Sequence, residues 1–214
     1  MYRSLSNWVG FVFDHPVSKL KWYEADNCLV WDDSPEHLVM FIAESFERSG
    51  ELLQRFSDAQ VDQGLWFLLF SDYMAGFGNS AVPLSLRQRG LESFIPLFEG
   101  MMVKRCSPHL SHLGEQGANP LNSSCYMWWD HFRFHGNFNS AHCFDNDPEI
   151  LNVMRRLLTI PHDACRESAL HGLGHWHNYN SRASGIIEEF LSLSPDLRSE
   201  LVEYAQNARL GRVL

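Results

Sequence analysis

Glu167, His171 and His175 follow one another at i, i+4 and i+8, and His131 and His135 repeat the same four-residue step. On a helix that spacing sets the two imidazoles of each pair on one face, the arrangement that helical zinc sites use, and imidazole suits iron as well as zinc. Glu167, Asp130 or His142 would supply a third donor, and two helices sharing one ion would join the pairs. Zinc or iron is the cofactor this pattern implies. Neither pair reads HExxH, so no glutamate general base comes with the spacing. Eleven histidines among 214 residues also make chance pairs common. Residue types alone therefore favour histidines packed in a helical core, with no metal and no catalytic residue.

Other chemistry has less support. There is no GxGxxG after a strand, no GxxxxGK[ST] loop and no GxSxG elbow. Asp145, Asp147 and Glu149 form an acidic group with the donors for a cation, but Asp147 already has a role as a helix cap. Gly172 and Gly174 each weaken a helix by about 1 kcal/mol relative to alanine. Their presence inside a helical segment predicts a neighbouring helix at close range.

Charge narrows the partners. Seventeen Lys plus Arg against 26 Asp plus Glu give a formal charge of −9, which repels phosphate backbones and anionic lipid. Nucleic acid and membrane surfaces are excluded on this ground, whereas a basic protein partner fits. The five cysteines, Cys28, Cys106, Cys125, Cys143 and Cys165, are widely scattered and form no CxxC pair, as expected of free thiols in a reducing compartment. No leader-like apolar region opens the chain, and the longest apolar run, Leu65 to Phe70, is too short to span a bilayer. A cytoplasmic protein is the expectation.

The elements that must position these residues are helices. Ser34-Pro35-Glu36, Asp147-Pro148-Glu149 and Ser194-Pro195-Asp196 each place a capping side chain before proline and an acid, so helices are expected to begin at 35, 148 and 195. Gly50 should end the first. Ser57, Ser85 and either Asn122 or Ser123 are further caps, with Pro96 a kink in the helix after Ser85. Residues 163–177, 184–193 and 196–209 complete the set. Within the first of these, Cys165, Ala169, Gly172, Leu173 and Trp176 form an apolar stripe. Period-two alternation is confined to Trp8–Phe13 and Cys28–Trp31, which either pair as a hairpin or lie over the first helices. Loops 106–120 and 136–147 are long enough to be functional. No linker divides the chain, so one helical domain over 1–214 is expected, with 1–32 an irregular segment packed on it.

The pair of segments at 148–158 and 163–177 has the look of a solenoid unit. Its second segment resembles the second helix of a HEAT repeat, through Asp163, Arg166, Ala169 and Leu173, while His171, Gly172 and Gly174 depart from that pattern. The resemblance covers residues 148–177 and implies an α-α superhelix that binds other proteins without catalysis. Combined with the acidic charge and the lack of a catalytic motif, it ranks first a non-catalytic, protein-binding helical scaffold. An intracellular inhibitor or immunity-type protein for a basic partner would be of this kind. A metal-dependent enzyme using His131, His135, His171 and His175 ranks second.

Overall fold

Side-chain caps at Ser4, Ser34 and Ser57 set where three of the N-terminal helices begin. The computed structural model describes residues 4–25, 29–131, 147–178 and 180–213, and among them helix is the only regular structure. Helix α1 (Leu5–Phe13) starts where the Ser4 hydroxyl accepts from the Asn7 N–H, and it buries Trp8, Val9, Val12 and Phe13. Of the two readings of Trp8–Phe13, the hairpin gives way to a helix, and that helix packs on the helices at 35–47 and 58–70. The apolar positions fall three and four apart once Leu5 is included, and Ser4 supplies the cap.

Helix α2 (Pro35–Glu47) begins at the expected Ser34 cap with proline in its first turn. Gly50 does not stop the chain there, because α3 (Ser49–Leu52) carries straight on. Helix α4 (Asp58–Phe70) starts in a reciprocal Ser57/Gln60 capping box. Pro83, not Ser85, precedes α5 (Leu84–Glu92). The kinked helix expected around Pro96 is a succession of α6 (Phe94–Leu97), a π turn at Phe98–Met102 and α7 (Val103–Arg105). Then come α8 (Leu121–Tyr126), α9 (Trp128–His131), α10 (Asp147–Leu158), α11 (Asp163–Trp176), α12 (Arg182–Leu193) and α13 (Ser199–Arg209). The last begins after Arg198, so Ser194-Pro195-Asp196 forms a turn where a helix start was expected.

Helix α11 is the axis of the C-terminal half. Helices α8, α9, α10, α12 and α13 all pack against it, and α4 joins α8 and α9 to the N-terminal helices. One contiguous apolar cluster runs from Trp8 to Ala208. Because it is covered from so many directions, α11 buries its polar Glu167, Ser168 and His171 along with Cys165, Ala169, Leu173 and Trp176.

Its two glycines are contact points. A Cβ on Gly172 would lie 2.6 Å from Cγ of Trp129, and one on Gly174 would lie 2.5 Å from Val213 and 3.3 Å from the Ala208 backbone. Two opposed effects thus meet at Gly172. Alanine there would gain about 1 kcal/mol of helix propensity, but driving the Trp129 ring aside costs about 1–3 kcal/mol. We expect Gly172→Ala to lower the thermal midpoint; a raised midpoint would show that Trp129 moves off without cost.

Candidate metal centre

Asp130 reaches the centre of the C-terminal half on a very short element. Helix α8 ends at Tyr126, where the Met127 N–H donates to the Ser123 carbonyl, and the four-residue α9 restarts at Trp128. Its position is set by two wholly buried indoles. Trp128 meets the rings of Phe46, Phe94 and Phe98 edge-on, and Trp129 lies against Phe94 and over Gly172. With both indoles wedged, the next residue along has little freedom.

Opposite Asp130, α11 presents His171 and His175. Nε2 of His171 lies 2.7 Å from Oδ1 of Asp130, Nε2 of His175 lies 2.6 Å from that same oxygen, and the two nitrogens are 3.2 Å apart. Donors bonded at about 2.1 Å to one tetrahedral ion stand about 3.4 Å from each other. The observed triangle is no wider than that, so one ion above its plane reaches all three corners. Among the described residues this is the group of His, Cys, Asp and Glu side chains gathered tightly enough to hold a metal. Exposure rises across it, from a fully buried His171 through Asp130 to His175, whose side chain is 35% exposed. The approach for a further ligand is therefore on the His175 side.

Electrostatics match the geometry. Burial would raise the pKa of Asp130, but hydrogen bonds and charge attraction from His171 and His175 outweigh it and hold the carboxyl well below the usual range. Ionised is the form in which a carboxylate can serve as a metal ligand.

A polar shell supports the far side of His171. Its Nδ1 is 2.6 Å from Oη of Tyr204, which is 3.1 Å from Oη of Tyr126. The Tyr126 ring packs on His171 at 4.3 Å between centroids, and Tyr204 stacks on His112 at the same separation. Burial raises the Tyr204 hydroxyl far above its ordinary value, with Tyr126, Glu167 and Asp130 adding to the effect, so it stays a neutral phenol.

Glu167 has a different duty from the metal ligation its spacing suggested. Wholly buried, its carboxylate accepts from the backbone N–H groups of Ser111 (2.7 Å) and His112 (3.0 Å) and pairs with Nδ1 of His112 at 2.5 Å. It pins the 106–120 loop onto α11 and holds the His112 ring beneath Tyr204. The side chain of His131 lies outside the described residues, as do His135, His142, Cys28, Cys143, Asp145 and nearly all of the 136–147 loop. Glu149 is not part of the triangle.

The thiols are less scattered than the sequence suggests. Cys106, Cys125 and Cys165 are free and buried, and Cys125 interacts with both of the others. The Cys165 thiol is lowered to about 6, chiefly by a hydrogen bond with Cys125, against burial and with help from His162. All three are buried in the core, the setting of structural cysteines. Tyr204, Tyr126 and His112 carry no motif; Tyr204 reads in the sequence only as one apolar position of the last helix.

No family model, no curated protein and no solved structure matches this chain.

Removing the Glu167 carboxylate leaves two backbone donors and an imidazole without their acceptor. Glu167→Ala should cost about 3 kcal/mol or more and speed proteolytic cleavage within 106–120; unchanged cleavage would show that the loop is held by other contacts. Asp130 sets a pH dependence in the metal-free protein. Because its folded pKa is depressed, its stabilisation is fully present above the unfolded carboxylate value of about 3.9 and is lost as pH falls through the folded value. Asp130→Asn should flatten the acid limb of the stability profile, and an unchanged limb would contradict the pairing.

Proposed function

We propose that this protein is a metal-dependent enzyme with one divalent transition-metal ion bound by Asp130, His171 and His175. The observation that carries the reading is the convergence of two imidazoles and one ionised carboxylate, from segments 41 residues apart, on a triangle of one ion's size. Three protein ligands leave coordination positions open, which distinguishes catalytic sites from four-coordinate structural ones. Two histidines and a carboxylate are the donor set of hydrolytic zinc centres and of iron(II) sites alike.

Lewis-acid hydrolysis is the chemistry we assign. A bound divalent ion lowers the pKa of water from about 15.7 to about 7, making hydroxide available at neutral pH, and it polarises a carbonyl or phosphoryl oxygen. In this chain Asp130 would supply the negative charge, the buried His171 would hold the ion from within, and the part-exposed His175 would face the open side. The sequence ranks protein binding first, on charge and on the HEAT-like segment. We reverse that ranking, because the arrangement of Asp130 with the two histidines has a specific chemical use. We read the α10–α11 pair as the scaffold that holds the centre.

The test is metal content with matched variants. Protein reconstituted with zinc or iron(II) and freed of excess ion should retain one equivalent. The double variant His171→Ala/His175→Ala should retain none and lose any ester, amide or phosphoester hydrolysis found in a substrate screen. Failure of the reconstituted wild type to hold metal would overturn the reading and restore the binding scaffold as the better account.

A further inference from the structure

We infer that Tyr204 is the positioning residue of the proposed centre: its hydroxyl fixes the ring orientation and tautomer of His171 and so sets how tightly the metal is held. This rests on the metal reading above and goes one layer further out. An imidazole that ligates through Nε2 keeps its one proton on Nδ1, and such ligands as a rule donate that proton to a fixed acceptor. In most metal sites the acceptor is a carboxylate, a backbone carbonyl or water. Here Oη of Tyr204 lies 2.6 Å from Nδ1, inside a pocket where His171 is fully buried.

A hydroxyl suits this position for a reason a carboxylate does not. When a neutral His171 donates Nε2–H to Asp130, Nδ1 is an acceptor and needs a donor facing it. With metal on Nε2, Nδ1 becomes a donor and needs an acceptor. A phenol rotates to serve either state, and Tyr126, 3.1 Å away, offers the matching partner in both. The surroundings hold that phenol still. Its ring stacks on His112 with centroids 4.3 Å apart and planes 29° from parallel, and His112 is tied to Glu167. Glu167 and His171 belong to the same helix, so the chain Glu167, His112, Tyr204, His171 closes a loop of contacts around α11. It also gives the 106–120 loop a part in the site that it does not touch directly.

The experiment is cobalt(II) titration of the full chain, followed by the visible absorption of the bound ion, for wild type and Tyr204→Phe. Phenylalanine keeps the ring that stacks on His112 and removes the hydroxyl alone. We expect cobalt affinity to fall about 10- to 100-fold, with a changed absorption band and an unchanged far-ultraviolet circular dichroism spectrum. Equal affinity and an identical band in a folded variant would overturn the role of Tyr204 while leaving the metal reading in place. No cobalt binding by wild type would overturn both. Should Tyr204→Phe fail to fold, the wild type still decides the matter. Long-range proton–nitrogen spectra of the zinc-loaded protein should show His171 protonated at Nδ1 and bound at Nε2, and the opposite tautomer would overturn the proposal.

Discussion

A helix that is covered on nearly every side yet carries polar residues must have each of them answered from a neighbour. That constraint on α11 organises the C-terminal half of this protein. Glu167, Ser168 and His171 are all shut away from solvent, and an unanswered buried polar group costs enough to unfold a marginal domain. The answers come from far along the chain. Glu167 is met by Ser111 and His112, Ser168 donates to the Cys125 carbonyl, and His171 is met by Tyr204 and Asp130. Loop 106–120, helices α8 and α9, and helix α13 are thereby placed by the polar face of one helix, while Gly172 and Gly174 let two of these neighbours come close enough to do it.

The same constraint explains why a reactive grouping sits in so buried a place. Packing alone would be served by alanine or leucine at 171. Histidine there needs two partners, and one of them, Asp130, is an ionised carboxylate also facing His175. The buried indoles of Trp128 and Trp129 anchor the short helix that carries Asp130. Rigid support of this kind is what a metal site requires, since ligands held by packed elements lose little freedom when the ion arrives.

Much of this was legible in the sequence, unevenly. Ser34 and Ser57 announced α2 and α4 because caps are local, and the His171/His175 spacing put both imidazoles on one face. Asp130 could be named as a donor, but nothing local says that residues 130 and 171 meet. Glu167, one of three third donors the sequence offered, faces away from the pair for a geometric reason. Each four-residue step on a helix overshoots a full turn by about 40°, so over two steps Glu167 points about 80° away from His175, toward the 106–120 loop. Tyr204 and His112 left no signal, since their roles exist only once α13 and that loop dock on α11. The N-terminal helix was missed because a short aromatic run fits either period until the Ser4 cap and Leu5 are counted with it.

Joint binding of one ion by Asp130, His171 and His175 is open to direct observation. The most direct measurement is a crystal structure of metal-soaked protein with anomalous diffraction collected at the absorption edge of the ion. One strong anomalous peak is expected within bonding distance of Oδ1 of Asp130 and Nε2 of both histidines, with at least one further position open toward the His175 side. Well-ordered side chains at these three residues with no peak between them, or a peak elsewhere in the molecule alone, would contradict it.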